Sequence, residues 1–174
     1  MTAVRSGLGF DLHPLVDGRP LVLGGVTVPS ERGLGGHSDA DVLTHAVCEA
    51  LQGSLALGDH GGVFPGTGEQ EGDLGRLFPD TDPRYKGASS LGLLRAVMEL
   101  ISTKGARVIN VDATVICQAP RLAAHLPEMA RQIAAAMSLG VEQVSVKAKS
   151  PEHLGLLGRG EGIASMAVVS VEAR

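Results

Sequence analysis

Aromatic residues are scarce in this chain, with one tyrosine, three phenylalanines and no tryptophan among 174 residues. Stacking platforms for bases are therefore missing. No long basic run is present either, and the formal net charge is −4, so a nucleic-acid-binding surface is not expected. Two cysteines, Cys48 and Cys117, are too few for a disulfide framework. No apolar run approaches the length of a membrane span, and residues 1–7 lack the apolar centre of a signal peptide. The expectation is a cytoplasmic protein working without nucleic acid or membrane. What remains is ordinary for a globular chain, 44% hydrophobic and 20% charged, and 174 residues suffice for one domain with a real core. Glycine alone is in excess. Many of the 24 glycines cluster (Gly24-Gly25, Gly33-Gly35-Gly36, Gly158-Gly160-Gly162), which points to loops where backbone approaches something closely.

The hydrophobic pattern sets out the elements. Residues 3–9 read as a strand leading into a turn that carries Asp11 and His13. Residues 19–29 read as a hairpin, two β-rich runs around Gly24-Gly25. Residues 30–36 form a glycine-rich loop, and His37-Ser38-Asp39-Ala40-Asp41 offers cap-type residues for a helix running to about Leu57. A loop-like stretch, 58–87, contains a tandem duplication at a 14-residue offset: Gly58-Asp59-His60-Gly61 through Thr67 is echoed by Gly72-Asp73-Leu74-Gly75 through Thr81. A single short copy is no solenoid and lengthens a surface loop. Residues 88–104 have helical spacing up to Gly105, 107–117 are strand-like, and Pro127 opens a helix to about Ser138. Residues 141–147 and 163–171 are strands. Strands, helix, helix, strand, helix, strand, strand imply an α+β domain, helices layered against a mixed sheet.

One constellation carries chemistry. In an extended strand, residues i and i+2 share a side, so Asp11 and His13 can converge on one point. His45, on the helix after Asp41, can bring a third ligand there. One carboxylate and two imidazoles suit Zn²⁺, and three protein ligands leave a position open for substrate. The residues alone equally allow Asp11 and His13 to end a strand in solvent, with His45 a satisfied helix histidine.

Five motifs occur in one order: Gly9-Phe10-Asp11-Leu12-His13; His37-Ser38-Asp39-Ala40-Asp41 with His45; Gly72-Asp73-Leu74-Gly75 through Pro83; Gln118-Ala119-Pro120-Arg121; and Gly158-Arg159-Gly160-Glu161-Gly162. Over nearly the whole chain they resemble the 2-C-methyl-D-erythritol 2,4-cyclodiphosphate synthase family of the non-mevalonate isoprenoid pathway. The resemblance implies a homotrimer with active sites between subunits. It also implies a cytidine diphosphate substrate, 4-diphosphocytidyl-2-C-methyl-D-erythritol 2-phosphate, whose own 2-phosphate attacks the β-phosphorus to give the cyclic diphosphate and CMP. By the family pattern Asp11, His13 and His45 hold Zn²⁺ or a similar divalent ion, and Glu152 holds a second, Mg²⁺ or Mn²⁺. His37 and Ser38 contact substrate phosphate, and Lys149 and Ser150 the diphosphate, with Ser150 where the family often has Thr. Ala119, Pro120 and Arg121 resemble the segment holding cytosine through backbone groups, while Asp80 and Lys86 match a loop meeting the erythritol part. Asp73 and Gly75 are favoured over Asp59 for the cytidine side, because only the second copy continues into Pro79-Asp80-Thr81. Phe10, Arg159 and Glu161 fall near the trimer axis, where the family can hold an isoprenoid-like diphosphate, although Leu156 stands where Phe is frequent. A pair between Arg159 and Glu161 at the subunit interface is at least an equal expectation.

The chemistry fits the residue types. A phosphate monoester has a second pKa near 6, so the nucleophile is already ionised at pH 7 and needs no serine, cysteine or general base. The remaining difficulty is bringing a dianion up to an anionic diphosphate, which calls for cations and fixed donors. Two other readings use the same residues: a zinc phosphoesterase that activates water, and a trimeric metal- or isoprenoid-binding protein without catalysis.

Overall fold

The computed structural model describes residues 2–36, 38–57 and 87–173. Its main sheet is built on two long strands, β1 (Ala3–Asp17) and β7 (Gly162–Ala173), which pair antiparallel from Ala3↔Ala173 to Pro14↔Gly162. On the far side of β7 lies β5 (Arg107–Ile116), also antiparallel, and parallel to β5 lies β6 (Val144–Lys149). A short β4 (Arg32–Leu34) pairs with the last residues of β1, giving the order β4-β1-β7-β5-β6. The sheet is mixed. The hairpin β2 (Leu21–Leu23) and β3 (Val26–Val28) stands apart around a Gly24-Gly25 turn in which both glycines have positive φ. Type I′-like backbone of that kind excludes most side chains.

Helices α1 (Val42–Ser54), α2 (Ser90–Thr103) and α3 (Leu126–Met137) cover one face of the main sheet, with a single turn α4 (Gly155–Gly158) before β7. Helix α1 lies on β1 and β7, α3 lies on β6, and α2 packs against both helices. Leu43, Val47 and Leu51 of α1, Leu94, Val97 and Ile101 of α2, and Met129 and Ile133 of α3 are buried with Val111, Val115, Ile163 and Val169 of the strands. Each large aliphatic side chain so removed from water stabilises by roughly 1.5–3 kcal/mol. Asp41, fully buried, fixes the start of α1: its carboxylate accepts from Leu43 N and Thr44 N at 3.1 Å each and from Thr44 Oγ1 at 2.7 Å. The same carboxylate accepts Gly24 N at 2.8 Å and Gly25 N at 2.7 Å, so one side chain locks the hairpin to the helix. Pro127 sits in the first turn of α3, and Ser138 ends that helix in the left-handed region, at φ 56°.

Five boundaries differ from the sequence expectation. Asp11 and His13 lie within β1, not in a turn after residue 9, because β7 offers an uninterrupted partner as far as Gly162. Residues 32–34, expected as loop, become β4 because the end of β1 provides a ladder that local glycine content could not reveal. Residues 141–143 form a 3₁₀ turn, and β6 starts only at Val144, where the chain comes beside Val111. The first helix ends at Ser54, before the expected Leu57, and the second runs 90–103 rather than 88–104.

Among the described residues nothing covers the other face of the sheet. Leu8, Phe10, Leu12, Met166 and Val168 alternate outward from β1 and β7, and each is at least 40% exposed. The strand period of two places them all on the side away from the helices.

Candidate metal and phosphate site

On the helix-facing side of β1, Gly7, Gly9, Asp11 and His13 follow one another at every second position. The two glycines carry the geometry. A Cβ at Gly7 would lie 2.0 Å from the Ala50 carbonyl oxygen, and one at Gly9 would lie 2.0 Å from that of Ala46. Only without those Cβ atoms can the backbone of α1 touch the strand. His45, next to Ala46, is thereby carried down to Asp11 and His13.

The three side chains meet at one point. Asp11 Oδ2 is 3.0 Å from His45 Nδ1 and 3.1 Å from His13 Nε2, and the two ring nitrogens are 3.5 Å apart. The rings stand edge to face, at 72°. A tetrahedral ion with ligand bonds of about 2.0–2.1 Å requires ligand atoms roughly 3.3 Å apart. The triangle fits a Zn²⁺-sized ion without rearrangement. Among the described residues it is the only such group of three or more His, Cys, Asp or Glu. The side chains are 15–23% exposed, sheltered yet reachable from outside.

The electrostatics suit a cation. Burial would raise the Asp11 carboxyl, but the hydrogen bonds and charges of His13 and His45 outweigh it and hold it well below the ordinary carboxylate range. Burial would lower the His45 imidazole, yet the Asp11 hydrogen bond and the charges of Asp11, Asp41 and Asp39 move it upward. Three carboxylates around one helix start make a field that favours positive charge.

Around this triangle Gly36 and residues 38–41 are held from both sides. Arg19 donates to the Gly36 and Ser38 carbonyls. Ser38 Oγ accepts Ala40 N at 3.1 Å and lies 3.2 Å from His45 Nε2. Asp39 N donates to the Ala88 carbonyl at 3.1 Å, which fastens the loop to the chain entering α2.

A second cluster forms where β5 and β6 end. Cys117 N donates to the Lys149 carbonyl at 3.1 Å, and Gln118 Oε1 accepts His153 N at 3.0 Å, drawing residues 117–121 and 149–153 together. Ser150 Oγ accepts Glu152 N at 3.0 Å. Glu152 and His153 both have positive φ, 53° and 62°, an uncommon pair for non-glycine residues and one typical of functional turns. Ala119–Pro120 is a cis peptide. Arg121, Lys149, Ser150 and Glu152 are exposed. Burial pushes the Cys117 thiol up to about 11, so it is a packing residue rather than a nucleophile.

The chain matches the YgbB family over residues 4–172. It belongs to that family. The 2-C-methyl-D-erythritol 2,4-cyclodiphosphate synthase of Syntrophobacter fumaroxidans is 53% identical over 166 residues, covering 95% of this YgbB chain and 96% of that one. Among solved structures, the bifunctional IspDF of Campylobacter jejuni matches with a TM-score of 0.87 at 34% identity, over all of this chain and 43% of that one. A 2C-methyl-D-erythritol-2,4-cyclodiphosphate synthase in its CDP-bound form gives a TM-score of 0.79 at 33% identity, over 95% of this chain and 98% of that one.

Within this YgbB chain, Asp11 and His13 share a side as the strand periodicity implied, His45 meets them from α1, and Ser38 lies beside them. Lys149, Ser150, Glu152, Ala119, Pro120 and Arg121 form the separate cluster. Arg159 and Glu161 pair with each other at 2.5 Å, both exposed, and Phe10 stands on the bare sheet face. His37, Asp73, Gly75, Asp80 and Lys86, with the duplicated loop and Asp59, lie outside the described residues. Sequence reading does not single out Ser90, whose Oγ lies 2.9 Å from His45 Nε2, and names Asp39, the partner of Ser90, only inside a motif. The available signal was cap chemistry, a serine opening one helix and an aspartate preceding another.

Proposed function

We propose that this chain is a metal-dependent 2-C-methyl-D-erythritol 2,4-cyclodiphosphate synthase. It closes 4-diphosphocytidyl-2-C-methyl-D-erythritol 2-phosphate into the cyclic diphosphate with release of CMP. The single observation that carries this is the Asp11/His13/His45 triangle, dimensioned for a divalent ion, in a chain that matches the YgbB family almost end to end. A divalent cation held there supplies Lewis acidity toward a phosphate oxygen.

The chain's own residues do the rest. The Ser38 hydroxyl already accepts from Ala40, so its proton is left to donate to a phosphate oxygen. Ser150 is arranged the same way by Glu152 N–H, and Lys149 beside it adds positive charge. His37 is assigned to the same phosphate as Ser38. Glu152, presented by a strained turn, is the carboxylate for a second, oxygen-seeking ion such as Mg²⁺ or Mn²⁺. Residues 119–121 offer backbone groups to cytosine, which needs no aromatic stack. Asp73, Gly75, Asp80 and Lys86 are assigned to the ribose and erythritol parts. Because both reacting groups belong to one substrate molecule, orientation is the main task left to the protein.

A homotrimer is part of the proposal, and two features support it. Asp11 stands beside Ser165, Ser165 beside Val115, and Val115 beside Ala148, so the triangle and the Lys149 cluster lie three strand spacings apart, about 14 Å. Pairing the triangle of one copy with the Lys149 cluster of the next closes that gap. The bare face of Leu8, Phe10, Met166 and Val168 is an apolar surface of the kind buried between copies. Arg159 and Glu161 are then carried near the axis.

The test is ³¹P NMR of the diphosphocytidyl substrate with protein, Zn²⁺ and Mg²⁺, alongside His45→Ala. A cyclic diphosphate and CMP, lost in the variant, supports the proposal. CMP with a linear product moves the assignment to a hydrolase.

A further inference from the structure

His45 has two ring nitrogens, and only Nδ1 faces Asp11 and His13. The other, Nε2, points toward the start of α2, where Ser90 Oγ lies 2.9 Å away. Ser90 is fully buried. Its hydroxyl donates to Asp39 Oδ1, and its backbone N–H donates to Asp39 Oδ2 at 2.8 Å. Both hydrogens that Ser90 can offer are therefore committed to one carboxylate. What the Ser90 oxygen has left for His45 is a lone pair, so the N–H must be on Nε2.

Ser38 Oγ lies farther from the same nitrogen, at 3.2 Å; one of its lone pairs takes Ala40 N–H and the other can share the Nε2–H as a weaker acceptor, which leaves the tautomer unchanged. Asp39 is in turn anchored, its N–H on the Ala88 carbonyl and Oδ1 accepting Asp41 N at 3.3 Å. The polarity of the chain runs one way: His45 Nε2–H to Ser90, Ser90 O–H to Asp39.

We infer that Ser90 and Asp39 are positioning residues for the metal site, a hydroxyl-relayed carboxylate that holds His45 with its proton on Nε2 and its Nδ1 lone pair aimed at the point shared with Asp11 and His13. This inference rests on the metal reading of the triangle. The physical logic is that of outer ligand shells generally: the hydrogen bond on the far nitrogen fixes tautomer and ring orientation and makes the near nitrogen a better donor. The relay is also placed to join two parts of the molecule, since Ser90 is the first residue of α2 while Asp39 belongs to the loop that enters α1. A ring carried by α1 is thus oriented from outside its own helix.

The experiment measures Zn²⁺ affinity of the full chain by chelator competition, for wild type, His45→Ala, Ser90→Ala, Ser90→Thr, Asp39→Asn and Ser89→Ala. Ser89 is the neighbouring cap position and makes no side-chain cap hydrogen bond, so its variant controls for a local change at the same helix end. Ser90→Ala and Asp39→Asn are expected to bind Zn²⁺ about 10–100-fold more weakly, Ser90→Thr to recover part of the loss, and Ser89→Ala to match wild type. Long-range ¹H–¹⁵N spectra of the Zn²⁺ form supply a readout that a merely structural role would not move. They are expected to show a slowly exchanging His45 Nε2–H in wild type that exchanges fast in Ser90→Ala. Wild-type affinity and a protected Nε2–H in a folded Ser90→Ala would overturn the inference while leaving the metal site standing. If wild type itself binds no better than His45→Ala, the metal reading fails and this one with it. Should Ser90→Ala not fold, Asp39→Asn decides, because its amide oxygen still caps the Ser90 N–H; unchanged affinity there overturns the inference.

Discussion

Replacing Gly9 by alanine adds one methyl group, and the geometry says it should empty the metal site. The new Cβ would sit 2.0 Å from the Ala46 carbonyl oxygen and 2.7 Å from Ala50 N, both backbone atoms of α1 that cannot swing away. Contacts of that kind do not form below 3.0 Å, so strand and helix must separate by at least 1.0 Å, the difference between 3.0 and 2.0. His45 precedes Ala46 and travels with it. Its Nδ1 now stands 3.0 Å from Asp11 Oδ2, and a metal ligand tolerates displacement of only about 0.2 Å. The variant therefore keeps two ligands of three. Zn²⁺ affinity is expected to fall at least about 100-fold, equivalent to about 2.7 kcal/mol. Overpacking should cost a further 1–3 kcal/mol of folding stability, roughly, and several degrees in Tm for a chain of this size. Gly92 provides the control, since a Cβ there meets nothing within 4 Å. Gly92→Ala lies inside α2 and should stabilise the fold by about 0.5–1 kcal/mol with metal affinity unchanged. The assay is chelator competition for Zn²⁺ beside thermal unfolding of the metal-free protein. A Gly9→Ala protein with wild-type affinity and wild-type Tm would refute the argument that close backbone approach builds the site.

Three further outcomes are expected. Asp41→Ala strips partners from the N–H groups of Gly24, Gly25, Leu43 and Thr44, and at about 1–3 kcal/mol for each buried orphan the urea midpoint should drop by the equivalent of at least about 3 kcal/mol; an unchanged midpoint would mean water replaces the carboxylate. In the metal-free protein the His45 imidazole is raised by its carboxylates, so its contribution to stability is complete below its unfolded value of about 6.5 and is lost as pH climbs through the folded value. Asp11 is lowered, so its contribution is complete above about pH 4 and is lost only on acidification. Urea titrations of metal-free protein should thus weaken from near-neutral pH upward, and a His45→Ala variant with the same alkaline decline would assign it to another group. Phe10→Glu places a charge in the centre of the bare sheet face and should take the proposed homotrimer to single chains in sedimentation; a mass unchanged from wild type would place any subunit contact elsewhere.

Much of this protein was legible in its residues. The Gly24-Gly25 hairpin, the three long helices, the mixed sheet and the shared side of Asp11 and His13 all follow from periodicities of two and 3.6 residues and from cap chemistry, effects that reach only a few positions along the chain. Tertiary structure decided the rest. That β1 continues through His13 depended on β7, which begins at Gly162. That His45 sits within 3.0 Å of Asp11 depended on two absent side chains, at Gly7 and Gly9, facing the carbonyls of Ala50 and Ala46. That Ser90 answers the far nitrogen of His45 depended on residues 45 positions apart arriving at one buried point. Local rules fix which way a side chain faces. What stands opposite it is set by how closely distant segments of backbone can approach, and here that distance was set by glycine.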